Sequence, residues 1–271
     1  MKIRFWGTRG SVPVSGPAYV EFGGNTPCLQ VTLDSCSEVL VLDSGTGIRE
    51  LGNHLLAKRD SLGSHVRLFL THAHWDHIQG FPFFAPAYIP GYKLDIHCTK
   101  EAEDFLGRQM SPPFFPVGLE VMQADIHFHR LSDRGEFQMG EASVRWIPLP
   151  HPQLSTGIRV EEAGRAFVFA TDTEHPAEGL NLELVEFAQD AAVLAYDAQY
   201  TPSEYQSGKQ GWGHSTFREG VDLAKAASVE RLVLFSHDPS HDDASCRAIE
   251  EAARALWPET WGARQGVTID I

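Results

Sequence analysis

Thr71-His72-Ala73-His74-Trp75-Asp76-His77 sets four potential metal ligands within a span of six residues. Imidazole nitrogens and carboxylate oxygens are common ligands of zinc and manganese. His72 and His74 stand two residues apart, so at the end of an extended strand they project to one side. Asp76 and His77 come after a turn and can face a neighbouring point. One ion could take the first pair and a second ion the other. Clustering so many imidazoles brings no folding advantage that would explain them otherwise.

Two ions need more ligands than one loop offers. His151, Asp172 and His237 each follow a strongly apolar segment, namely 147–150, 168–171 and 232–236. Loops at strand ends are where a rigid scaffold presents ligands. Taken singly, His151 also fits a plain loop, Asp172 a turn or cap, and His237 a helix flank. A further histidine, His214, lies in Gly211-Trp212-Gly213-His214-Ser215-Thr216. It is expected to open a helix, with Ser215 as the N-cap. Free N–H groups at a helix N-terminus form a ready phosphate site.

Short apolar runs recur between these residues: 39–43, 66–70, 166–171, 192–197 and 231–236. Continuous runs of this kind suit strands buried on both faces. Further strands are expected at 3–6, 28–33, 94–98, 143–149, 157–160 and 267–271. Helical spacing marks 48–59, 182–189, 216–227 and 242–257. Hairpin-like groups mixed with strand–helix alternation predict an α/β fold of two helix-covered sheets, in one domain over residues 1–271. The aromatic- and proline-rich stretches 81–90 and 109–118 read as semi-rigid loops. They could pack on their own domain, close as a lid, or meet a second copy in a homodimer.

The charge balance narrows the function further. The chain has 22 Lys and Arg against 36 Asp and Glu, a net charge of −14. That opposes a broad, non-specific grip on extended nucleic acid. No apolar run nears the roughly 20 residues of a membrane helix, and the N-terminus lacks the apolar region of a signal peptide. Cys28, Cys36, Cys98 and Cys246 form no C-x-x-C pair. Free thiols in a cytoplasmic protein are expected.

The motif H-x-H-x-D-H, followed in order by His151, Asp172 and His237 after strands, resembles the metallo-β-lactamase superfamily. The resemblance runs from the strand before Asp43 to His237. It implies a four-layer αββα sandwich with two mixed β-sheets and two divalent metal ions in a cleft at its edge. It assigns His72, His74 and His151 to the first ion, Asp76, His77 and His237 to the second, and Asp172 to both. Asp43, in Val-Leu-Asp-Ser-Gly-Thr-Gly, matches the buried aspartate beneath the site and would orient a ligand. Zinc suits the three-histidine group, and manganese tolerates it.

Gly213-His214-Ser215-Thr216 resembles the His-Ser-Thr loop of the tRNA 3′-processing, RNase Z-like branch. That branch pairs this histidine with a carboxylate after an upstream strand. Asp197 stands at the corresponding place, where the branch often has Glu. The implied chemistry is phosphodiester hydrolysis. His214, held by Asp197, would donate to the phosphate or the leaving group, and Asp76 would be both ligand and proton acceptor.

The front segments 4–11 and 22–28 are similar to compact bacterial members of the branch related to cyclic-nucleotide phosphodiesterases. Arg9 there is a candidate phosphate contact. The long basic arm with which the tRNA enzymes grip their substrate has no counterpart in 100–118. A small phosphodiester, such as a cyclic nucleotide, is therefore the first expected substrate. tRNA 3′ ends come second, and a thioester or β-lactam third.

Overall fold

The structure, a computed structural model, describes residues 1–271. One seven-stranded sheet contains β1 (Lys2–Gly7), β2 (Cys28–Thr32), β3 (Val39–Leu42), β4 (His65–Leu70), β5 (Lys93–Cys98), β6 (Asp125–Arg130) and β14 (Thr268–Asp270). Its spatial order is β14-β1-β2-β3-β4-β5-β6. The second contains β7 (Gly135–Met139), β8 (Ala142–Leu149), β9 (Ser155–Glu162), β10 (Arg165–Ala170), β11 (Val193–Asp197), β12 (Leu232–Phe235) and β13 (Thr260–Gly262). Its order is β13-β12-β11-β10-β9-β8-β7. Both sheets are mixed. In the first, β3 to β6 run parallel after antiparallel pairings of β1, β2 and β3. In the second, antiparallel pairings from β7 to β10 lead into parallel β10 to β13.

Strand side chains alternate, so each buried strand supplies two apolar surfaces. The inner faces of the sheets meet through Phe5, Leu29, Leu42 and Phe69 against Val144, Ile158, Phe167 and Phe235. On the outer face of the first sheet, Val41, Leu68 and Ile96 share a cluster with Ile48, Leu51 and Leu55 of the Ile48–Ala57 helix. On the other outer face, Val168, Leu194 and Leu234 pack with Val221 and Ala224 of the Phe217–Ala226 helix. Ile249 and Ala253 of the Asp243–Leu256 helix join them. The result is αββα layering, as the resemblance implies. Burial on both faces explains the continuous apolar runs: β3, β11 and β12 are buried at every position.

Every expected strand is present, but β6, β7 and β13 were not foreseen. β6 reads Asp-Ile-His-Phe-His-Arg and is largely exposed, so an edge strand lacks the apolar signature of a central one. The helix Ala102–Gln109 was also missed. The stretch 81–88 packs on its own domain, with Phe81, Phe84 and Ala87 in the core and Phe83 exposed. No helix is long and apolar enough to cross a membrane.

This topology sets the location of the chemistry. β8, β10, β11 and β12 point the same way, so His151, Asp172, Asp197 and His237 all follow the same end of one sheet. β3 and β4 are parallel, which brings Asp43 and His72 to one end of the other.

Candidate metal centre

β4 ends at Leu70 and the chain turns through His72. His74 then caps a single helical turn, Trp75–Ile78, from which Asp76 and His77 face inward while Trp75 is exposed. His72, His74, His151 and Asp172 present ligand atoms within 4.8 Å of one another, and so do Asp76, His77 and Asp172. Asp172 belongs to both groups. Its Oδ1 lies 3.7 Å from His72 Nε2 and 3.9 Å from His151 Nε2, and its Oδ2 lies 3.2 Å from His77 Nε2.

The donor set fits divalent cations. His72 Nε2 and His77 Nε2 are buried without a hydrogen-bond partner, and such atoms are costly unless something satisfies them. His74 Nδ1 and His151 Nε2 face each other at 3.0 Å. Three imidazoles and a carboxylate make a tetrahedral zinc-type set. The other group has two carboxylates and one imidazole.

The far nitrogens of His77 and His151 are held by the protein, which fixes the tautomer of these two rings. His77 Nδ1–H donates to Asp43 Oδ2 at 2.8 Å. Asp43 also accepts from the Thr71 amide at 2.8 Å and the Thr71 hydroxyl at 3.0 Å. His151 Nδ1–H donates to the Gly213 carbonyl at 2.7 Å. Asp43 thus lies beneath His77 and is bonded to it, the place that the resemblance gives it.

Burial and neighbouring charge set the electrostatics. Burial, reinforced by the neighbouring His77, drives the His72 pKa well below its ordinary value. Burial also opposes charge on Asp172, yet His77, His214 and His72 hold its pKa well below the carboxylate range. The reverse holds for His77, where Asp172, Asp76 and Asp43 outweigh burial and raise its pKa. The pocket thus keeps Asp76 and Asp172 ionised and His72 neutral, the forms that bind a cation, whereas the proton favoured on His77 must leave if that ring is to hold an ion.

His214 lies between Asp197 and the cluster. Its Nδ1–H donates to Asp197 Oδ2 at 2.7 Å, and its Nε2 points to Asp172 Oδ1 at 3.9 Å. Burial lowers the tendency of His214 to hold a proton, but Asp197 and Asp172 outweigh it and bring the pKa to about 9. Asp197 is fully buried and also accepts from the amides of Gln199 and Ser215 at 3.2 Å and Thr173 at 3.3 Å. The Ser215 amide is therefore taken. The helix starts later, at Phe217, with the Thr216 hydroxyl as its cap. The expected N-cap Ser215 is corrected, because its hydroxyl oxygen accepts from the Tyr196 hydroxyl at 3.0 Å and lies 2.9 Å from His175 Nδ1 instead of capping, and the helix end expected at His214 lies at Thr216.

Two other expectations change. His237 does not join Asp76, His77 and Asp172. Its Nε2–H donates to the Ala263 carbonyl at 2.9 Å, which turns the ring toward β13. Arg9 is fully buried and cannot meet a substrate phosphate. Its guanidinium donates to the carbonyls of Gly23, Asp238 and His241 instead.

Sequence reasoning missed two supporting residues. Glu174 accepts from the amides of Gly211 at 2.6 Å and Gly213 at 2.8 Å, and so clamps the loop that carries His214. The Ser11 amide donates to Asp76 Oδ2 at 2.7 Å. Glu174 stands two residues after Asp172, a local signal that was available. Ser11 is far away in sequence and gave none.

A family model described as a beta-lactamase superfamily domain matches residues 39–237. The chain belongs to the metallo-β-lactamase superfamily. Within that superfamily it is a metal-dependent hydrolase. It is similar to Ribonuclease Z of Crocosphaera subtropica, 26% identical over 324 aligned positions that cover 100% of this chain and 98% of the relative. Ribonuclease Z of Halalkalibacterium halodurans is 25% identical over 290 positions, covering 86% and 91%. The metallo-β-lactamase fold protein YhfI from Bacillus subtilis superposes with a TM-score of 0.75 at 15% identity, covering 99% and 98%. The short form of human tRNase Z gives 0.69 at 20% identity, covering 100% and 99%. A diphosphatase of the PhnP family gives 0.71 at 16% identity, covering 100% and 97%. These solved structures share the superfamily fold.

Proposed function

We propose that the chain hydrolyses a small phosphodiester, such as a cyclic nucleotide, with two divalent metal ions, zinc or manganese, as its cofactor. His72, His74, His151 and Asp172 would hold one ion, and Asp76, His77 and Asp172 the other. The observation that carries the reading is His214. Its Nε2 faces the shared carboxylate while Asp197 holds its other nitrogen. A thioester or β-lactam hydrolase would have no task for this buried pair.

Bound metals supply positive charge at the phosphate and lower the pKa of water. The chain's own residues do the rest. Asp197 keeps the ring fixed with Nδ1 protonated, so that Nε2–H is directed at the cluster. As the bond from phosphorus to the leaving oxygen breaks, Nε2–H transfers its proton to that oxygen. Neutral His214 then remains hydrogen-bonded to Asp197.

Substrate size is argued from charge and length. In 100–118 only Lys100 and Arg108 are cationic, among Glu101, Glu103 and Asp104. The Crocosphaera relative aligns over 324 positions against the 271 residues of this chain, so it carries segments that this chain lacks. A polyanion needs many phosphate contacts away from the reaction point. The four unpaired cysteines suit the cytoplasm.

The second reading, tRNA 3′ processing, is supported by the relatives named Ribonuclease Z. A hydrolysis panel separates the readings. It contains bis(p-nitrophenyl) phosphate, 2′,3′- and 3′,5′-cyclic nucleotides, precursor tRNA and a thioester, each with zinc and with manganese. Turnover of a small phosphodiester is expected, with weak and salt-sensitive action on precursor tRNA. Accurate tRNA cleavage at physiological salt beside negligible cyclic-nucleotide turnover would reverse the order.

A further inference from the structure

His237 ends β12 at the level of the cluster, yet it is withdrawn from it. Ser236 adopts φ 61°, which turns the chain as the strand ends. The His237 amide then donates to the Thr8 carbonyl at 3.0 Å, and its own carbonyl accepts from the Gly10 amide at 3.0 Å. Its ring sits edge-on to Phe22 with centroids 5.2 Å apart, and Nε2–H is spent on Ala263.

The ring lies in a packed environment near Arg9 and Arg264, and the Arg264 guanidinium is itself paired with Glu21 and Glu250. His241, the next histidine along the chain, is engaged too, its Nε2 pairing with Glu204 Oε1 at 2.8 Å. Neither His237 nor His241 therefore turns its bonded nitrogen to the Asp76–His77 group. His237 acts through its backbone instead. It fastens residues 8–10, and the next residue, Ser11, donates its amide to Asp76.

We propose, on the reading that the cluster holds metal, that the two metal positions are unequal. His72, His74, His151 and Asp172 form the tight position. Asp76, His77 and the shared Asp172 form a weaker one, with His237 a positioning residue rather than a ligand. Three protein ligands leave a cation less enclosed than four, and carboxylates suit manganese better than an all-histidine set does. The weaker position is also the one whose carboxylate is restrained by the backbone of the N-terminal loop.

The test titrates the metal-stripped, full-length chain with zinc alone and with manganese alone, followed by calorimetry and by elemental analysis after dialysis. Two classes of site are expected, separated by roughly tenfold or more in dissociation constant, with about one equivalent retained on dialysis. Asp76→Asn should weaken the second class alone. His237→Gln keeps a donor for Ala263, and should leave both classes within about twofold of the parent chain. Loss of the second class in a folded His237→Gln variant would overturn the proposal. Two equivalents of indistinguishable affinity would overturn it as well.

A structure of the zinc-loaded parent chain decides the matter without any variant. A His237 nitrogen at about 2.1 Å from an ion sinks the inference, and an ion on Asp76 and His77 with His237 still on Ala263 supports it. Failure to bind any metal would overturn the metal reading itself, and this inference with it.

Discussion

The Gly213 carbonyl accepts the His151 Nδ1 hydrogen at 2.7 Å, and a Cβ on Gly213 would lie 2.2 Å from that same nitrogen. The residue also holds φ 86°, a conformation open to glycine and strained for other residues. One backbone position thus serves the His214 loop and the first metal group together. Gly213→Ala is expected to cost about 1–2 kcal/mol of stability and to displace His151. Metal affinity should fall roughly 10–100-fold. Denaturant unfolding and metal content after dialysis check this, and unchanged metal retention would count against it.

His214 completes neither metal group in the proposed arrangement, so His214→Ala should leave the metal content intact. Loss of a proton donor should lower kcat by ~10²–10⁴-fold on the best phosphodiester found. Asp197→Asn should act in the same direction, more weakly, because Asp197 orients the ring without reaching substrate. The double variant should cost less than the two effects combined. A His214→Ala chain with kcat and KM near those of the parent would remove the proton donor from the mechanism. Thioester hydrolysis would then become the stronger reading.

Asp43 is fully buried and accepts three hydrogen bonds from His77 and Thr71. Asp43→Asn keeps the shape but weakens the hold on the His77 tautomer. Affinity for the Asp76–His77 ion should drop by ~10–100-fold, with the three-histidine position much less affected. Metal titration with a competing chelator measures the two separately. An equal loss at both positions would show that Asp43 supports the whole fold of the site instead.

His97 offers a pH test away from the metals. Its ring stacks 4.7 Å from His129 and 5.0 Å from Phe137, and neither ring nitrogen has a partner. Burial, reinforced by His129 and Arg67, lowers its pKa to about 4. The unfolded chain takes up that proton near ~6.5. The stabilising contribution is therefore complete above about pH 6.5 and is lost as pH falls toward 4. Its size is on the order of 3 kcal/mol. His97→Leu should lose less stability than the parent between pH 7 and 4.5, read as the shift in urea midpoint. Equal shifts in both proteins would contradict this account.

Much of the candidate centre was legible because its signals are local. His72, His74, Asp76 and His77 follow one apolar strand and one turn, so spacing alone places them together. Asp172 and Asp197 follow strands whose two-face burial leaves a continuous apolar run. The polar edge strand β6 and the three-residue β13 carry no such pattern and were missed. The helix start was misplaced by one residue because Ser215 and Thr216 are equally good caps in sequence. Thr216 caps the helix because the Ser215 hydroxyl is engaged by Tyr196, 19 residues upstream, and by His175.

By itself, the sequence determined the strand ends that carry chemistry and two helix-covered sheets, and through family resemblance the αββα layering and the pairing of His214 with Asp197. Only the tertiary structure decided the fate of His237 and Arg9. A strand tells where a side chain leaves the backbone, but not which neighbour will satisfy its polar atoms. Ala263, just past β13, claims the His237 ring, and carbonyls from two distant loops claim Arg9. Most buried hydrogen-bonding groups find a partner, and the partners of His237 and Arg9 come within reach only after the two sheets have packed.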